Sequence, residues 1–237
     1  MEHFLDLMSF GPTGWGQLML RAAVTTIAVA AAGYAIGMAI GALVCWARLS
    51  RSAVALWVSD VYVTVLRGVP DLLVIYLFYF GGSMLLTQFK QLLGGDGFVT
   101  LPTFMTGAAA IGVVSAAYQA EVMRGAFLAI SKGEIEAGQA YGMTSLTLLR
   151  RIIAPQMLRF SIPGMNNVWQ LVLKESALIS VIGLVELMRQ SALGSATTQQ
   201  PFYFYGAAAL FYLAITSVSG VIFRFLESHT SRGVRRA

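Results

Sequence analysis

Asp60, Thr64, Arg67 and Asp71 recur at offsets of 0, 4, 7 and 11 in an otherwise apolar stretch, a spacing that puts all four on one face of a helix. Ionisable groups inside apolar segments are costly and face a bundle interior or a wet cavity. With Glu121, Lys174 and Glu175, the stripe is therefore read as the wall of a path for a polar solute. Arg67 and Asp71 are four apart and can pair, with Pro70 breaking or bending the helix between them; left unpaired, Asp71 is an acidic contact for a cationic solute. Glu121 can pair with Arg124 one turn on or line the path. Lys174 and Glu175 point about 100° apart on a helix and cannot satisfy each other. Gln119, Asn166, Asn167 and Gln170 can line the same path or act as interhelical hydrogen-bonding glue.

Other chemistry is poorly served. There is no GxxxxGK[ST] phosphate loop, so nucleotide hydrolysis is expected of a partner. His3 and His229 stand at opposite ends and read as solvated terminal residues, no metal cluster is expected, and no His–acid or Ser–His arrangement falls within an apolar block. The single cysteine, Cys45, lies in an apolar run, which rules out an intrachain disulfide and reads as a small buried apolar residue.

The elements that position these groups belong in a bilayer. Of 237 residues 57% are hydrophobic and 11% charged, against about 25% charged in a soluble domain, and the mean hydropathy is +0.71. Apolar blocks run over 18–46, 54–86, 101–123, 162–187 and 202–226, predicting about five transmembrane helices at roughly 20 residues per span. The opening MEHFLDLMSFGPTGWG is acidic where a signal peptide is basic and lacks a cleavage site, so it is expected to be retained. Trp15, Trp46 and Trp57 sit near span ends, as interfacial anchors do. Gly33, Gly37 and Gly41 permit close approach of a neighbouring helix, in this chain or a partner.

Basic residues set the expected orientation. Arg48, Arg51, Arg124, Lys132, Arg150, Arg151, Arg159, Arg224, Arg232, Arg235 and Arg236 fall on one side of a five-span arrangement, against Arg21, Lys90 and Arg189 on the other. The N-terminus is expected outside, in the periplasm, and the C-terminus in the cytoplasm. The net charge of +5 then reflects topology, and a nucleic-acid partner is not expected.

One interval does not fit lipid: KGEIEAGQAYGMTSLTLLRRIIAPQML, from Lys132 to Leu158. Ser131 and Glu134 fit a capping box, starting a helix that Gly142 ends in a left-handed conformation. Thr144 or Ser145 can cap a second short helix, which Pro155 interrupts. Such a helix exposes Ala137, Gly138, Ala140 and Gly142, so another protein surface can approach its backbone.

The pattern Glu136-Ala137-Gly138, then Gly142 and Ile153-Ala154-Pro155, resembles the EAA signature of the membrane subunits of ATP-binding-cassette importers; it departs where Gly138 replaces the usual alanine and Ala154 the frequent leucine. LRGVPDLLVIYLFYFG, SAAYQAEVMRGAFLAISKG, LVLKESALISVIGLVEL and PFYFYGAAALFYLAIT extend the likeness from Leu18 to Glu227. They narrow it to the polar amino-acid uptake subfamily, of the histidine, basic amino-acid and opine type, in the half related to the histidine-system Q subunit.

The resemblance implies a type I importer permease: one transmembrane permease domain over 1–237 in the bacterial inner membrane, with a cytoplasmic coupling-helix loop at about 125–160. Glu136, Ala137, Gly138, Tyr141 and Gly142 would couple to a cytoplasmic ATPase dimer, which holds ATP and Mg, this chain having no cofactor. A homologous permease subunit, favoured as a heterodimer over a homodimer, and an external solute-binding protein complete the assembly. The family also places the Lys174–Glu175 pair near the central path. An ion-coupled secondary transporter is the rival class; it would use Asp71 and Glu175 for protons but gives the helix at Glu136 no role.

Overall fold

In the computed structural model, which describes residues 6–11 and 14–230, apolar length is met with long helices. The expectations for His3, Arg232, Arg235 and Arg236 lie outside the described residues. Helix α1 (Gly16–Leu49) and α2 (Ala53–Gly68) are followed by α3 (Asp71–Leu92), which carries a π-turn at Leu77–Gly81. Then come α4 (Thr103–Leu128), the short α5 (Lys132–Ala140) and α6 (Ser145–Leu148). A π-turn at Leu149–Ile153 leads into α7 (Ala154–Glu175), a 3-10 turn (Ser176–Ile182), α8 (Leu187–Thr198) and α9 (Pro201–Thr230).

Helices α1, α4 and α9 correspond to three of the five apolar blocks, α2 with α3 to that over 54–86, and α7 with the following 3-10 turn to that over 162–187. Of these, α1, α3 and α9 are long and apolar enough by themselves to cross a membrane. Helix α4 is different: rich in Ala and Gly, it is the central element, with Ala110, Ala116, Ala117 and Ala120 at 0% exposure. Small residues let neighbouring backbones close on it. Gly33 of α1 meets Ala108 and Ile111, Gly37 meets Gly112, Ser115 and Gln119, and Gly41 meets Ala116 and Ala120. The glycine row of α1 therefore serves packing within the chain. Both helices run the same way along this seam.

Helix α7 runs opposite to α4. Gly164 seats Val122 and, further along, Gly107 receives Ile179. Helix α9 follows the direction of α1: Phe204 packs with Met19, Ala22 and Ala23 near its start, while Phe223 and Leu226 share a crevice with Met38 and Met123 near its end. The loop after α1, the segment after α4 and the end of α9 thus lie at one end of the bundle, as alternating spans require. Large apolar side chains such as Leu43, Leu85, Phe202, Leu210 and Leu213 stand exposed, the surface expected against lipid. Trp46 and Trp57 are exposed with them, whereas Trp15 packs edge-on against Phe204, ring centroids 5.2 Å apart.

Two local expectations are corrected. The block over 54–86 is two helices: α2 stops at Gly68, Val69 is extended (ψ 137°), and α3 starts at Asp71 behind Pro70. The residue before proline is driven out of the helical region, so Asp71 does not continue the face of Asp60, Thr64 and Arg67. Pro155, by contrast, interrupts nothing. The π-turn at Leu149–Ile153 widens the coil just before it and makes room for the ring, and residues 145 to 175 form an unbroken helical run.

Candidate functional site

Helix α5 lies at the end of the bundle that holds the loop after α1. Ser131 is its N-cap, as expected, but its side chain makes no capping hydrogen bond. Glu134 instead accepts from the side-chain amide of Gln156 in α7, tying α5 to the long helix behind it. Gly142 is in the left-handed region (φ 76°), and its N–H donates to the Gln139 carbonyl at 2.9 Å, closing the helix. Thr144 caps the next turn, accepting from Thr147 N–H at 3.3 Å.

Gly138 faces inward, contrary to its expected place on the open face. A Cβ there would stand 2.6 Å from Leu148 Cδ1 and 2.9 Å from Ile152 Cδ1: glycine lets α5 lie directly on the π-turn before α7. The opposite face is bare. Glu136 and Ala140, on the far side of the helix from Gly138, are exposed; Tyr141, 86% exposed, flanks with Ala137 a crevice against Ile152 and Pro155.

The second place is a cavity of about 370 Å³ between α2, α4 and α7, lined by Arg67, Tyr118, Glu121, Asn167 and Lys174 among others, a volume in the range of small-molecule sites. Three of the expected path residues, Arg67, Glu121 and Lys174, come together here. Asp71 and Glu175 do not line it. Arg67 does not pair with Asp71; its guanidinium lies over the Tyr118 ring, 5.3 Å from the centroid, a cation–π contact. Lys174 is exposed toward the cavity while Glu175 is buried, the divergence that adjacent helical positions impose.

Glu121 pairs with Arg124 at 3.4 Å, as expected, but also with Arg48 of α1, whose other nitrogen holds Asp60 at 2.6 Å. Four charges thus join α1, α2 and α4 where those helices converge. Gln119 is interhelical glue: fully buried, its amide donates to the Tyr34 carbonyl at 3.1 Å. Asn167 is open to the cavity.

Sequence reasoning missed Glu186. It is wholly buried and caps α8, accepting from Met188 N–H at 3.0 Å and Arg189 N–H at 2.9 Å. The Tyr212 hydroxyl of α9 donates to it at 3.2 Å. Thr26 of α1 lies 3.5 Å away and accepts from Leu187 N–H at 3.1 Å. A lone acid ahead of a short polar helix was the available signal.

Comparison with known proteins identifies the family. The chain is 59% identical over 233 residues to the octopine transport system permease protein OccQ of Rhizobium meliloti, covering 98% of each chain. It is 45% identical over 232 residues to the nopaline transport system permease protein NocQ of Agrobacterium fabrum (strain C58), again over 98% of each. The crystal structure of an amino acid ABC transporter with histidines superposes with a TM-score of 0.77 at 27% identity, over 91% of this chain and 95% of that one; the all-helical bundle is thus the expected type I permease fold. The family of binding-protein-dependent transport system inner membrane components matches over residues 33–236. A bundle of long helices with one small helix seated outside it, this multi-pass inner-membrane chain belongs to that family, the permeases of ATP-binding-cassette importers.

Proposed function

We propose that this chain is one of two membrane subunits of an importer that carries opines or basic amino acids inward, driven by a separate ATPase. The observation that carries the reading is α5: its Gly138 face is seated on the turn before α7, and the side bearing Glu136 and Ala140 is open. A cytoplasmic ATPase dimer docks on that face and supplies ATP and Mg. An outside N-terminus and a cytoplasmic C-terminus put α5 on the same side as the ATPase. The basic residues of the loops support this orientation, and the shared direction of α1, α4 and α9 puts the loop after α1, α5 and the end of α9 on one side. A homologous permease subunit completes the path, a heterodimer being favoured, and an external binding protein delivers the solute. The names of the octopine and nopaline relatives support the opine class.

The test is reconstitution of the chain with its partner permease, ATPase and binding protein, followed by ATP-dependent uptake of labelled octopine, arginine and histidine. Glu136→Arg is expected to abolish uptake and ATPase co-purification together. Uptake driven by a proton gradient without ATP would instead establish the ion-coupled class.

A further inference from the structure

Resting on the importer reading, we propose that the cavity walled by Arg67 and Lys174 is a carboxylate subsite, and that the solute it takes is an amino acid carrying more than one carboxylate.

The acids around the cavity are already engaged or turned away, and its cations are not. Glu121, the acid in the cavity wall, is held by Arg48 and Arg124 and has little left to offer a cation. Arg67 and Lys174 make no ion pair within the described residues. The Tyr118 ring takes one face of the Arg67 guanidinium, which leaves the in-plane N–H donors for a ligand. Asp71 and Glu175 are the other acids near Tyr118, but neither lines the cavity, and Glu175 is 6% exposed. The wall offers a solute two cations, the Tyr118 phenol and the Asn167 amide, beside a Glu121 already held by two arginines.

A guanidinium fork matches a carboxylate by two parallel N–H bonds, and an ammonium adds a point charge beside it. A simple basic amino acid brings one carboxylate to two wall cations, and its cationic side chain, which octopine shares, does not distinguish the two. Octopine, an arginine whose α-nitrogen carries a second carboxylate-bearing arm, brings an anion for each. The pair octopine and arginine therefore isolates the second carboxylate as the variable.

The test uses the complete reconstituted complex at saturating binding protein, so that delivery is held constant. Arg67→Gln, Lys174→Gln and their double variant are compared with Lys174→Arg, which keeps the charge; co-elution with the ATPase reports assembly. Arg67 and Lys174 are both exposed and line the cavity, so the glutamine variants are expected to assemble. Each is expected to lose about tenfold in kcat/KM for octopine uptake, the scale of a charge-assisted hydrogen bond, with arginine uptake unchanged or raised and Lys174→Arg near the parent. Octopine uptake within about twofold of the parent in the double variant would overturn the subsite, and an equal loss for arginine and octopine would overturn its carboxylate specificity. If the parent complex moves neither solute with ATP, the importer reading falls, and this inference with it.

Discussion

Replacing Gly37 by alanine adds one methyl group at the tightest point of the α1–α4 seam. That Cβ would stand 2.7 Å from Gln119 Nε2, 3.1 Å from the Gly112 carbonyl oxygen and closer still to Ser115 Oγ. The carbonyl cannot move without bending α4, so the side chains must. Displacing the Gln119 amide breaks its hydrogen bond to the Tyr34 carbonyl in a fully buried site. Overpacking costs about 1–3 kcal/mol, and leaving a buried amide unpaired about 1–3 kcal/mol more. The expected loss is about 2–6 kcal/mol, or a fall in melting temperature of roughly 4–24 °C for a chain of this size.

Gly206→Ala provides the control. Gly206 lies within α9, exposed, and a methyl group added there would have nothing within 4 Å, so the better helix former is expected to gain up to about 1 kcal/mol. The same substitution should therefore act with opposite signs at the two positions. Thermal unfolding of both variants in one detergent reads the difference. Gly37→Ala melting at or above Gly206→Ala would refute the seam as the source of cohesion.

Glu186→Ala is expected to cost about 1–3 kcal/mol, since it removes a helix cap and one partner of the Tyr212 hydroxyl; Glu186→Gln, which keeps an acceptor, should lose about 1 kcal/mol, both read by thermal unfolding. Gly142→Val should cost about 1–2 kcal/mol because φ is 76° there, not for want of space, and Gly142→Asn should cost less; hydrogen exchange across α5 measures the loosened helix end. Arg48→Met leaves Asp60 and part of Glu121 unpaired and is expected to cost about 1–3 kcal/mol. Adding Glu121→Gln should recover part of that, and strict additivity of the two losses in a double-mutant cycle would show that the pair is not coupled.

Local signals were legible. Gly142 and Thr144 bound α5 and α6 where their backbone and side-chain preferences place them, because left-handed turns and caps depend on a few adjacent residues; Ser131 marks the start of α5, but the capping box expected with Glu134 does not form. The divergence of Lys174 and Glu175 follows from helical geometry alone. Partners distant in the chain were not legible. Glu121 was matched with Arg124 one turn on, while its closer tie reaches back to Arg48; Glu186 finds Thr26 and Tyr212 160 and 26 residues away. Gly138 looked exposed because its α5 neighbours are, yet its environment is made by Leu148 and Ile152 after the turn. The stripe ending at Asp71 failed for a covalent reason: Pro70 forces Val69 out of the helix and resets the face of everything after it.

The absence of a break at Pro155 has a mechanical consequence. From Ser145 to Glu175 the backbone is one beam, about 45 Å long at 1.5 Å per residue. Leu148 and Ile152 near one end carry α5; Lys174, at the other, faces the cavity. Tilting such a beam by about 5° about its loaded end displaces the far end by about 4 Å, a stroke comparable to the width of a water molecule and a half. If an ATPase docks on α5 as proposed, its motion would reach the cavity wall through this one helix rather than through a chain of side-chain rearrangements, attenuated by whatever bending Pro163 within the beam allows.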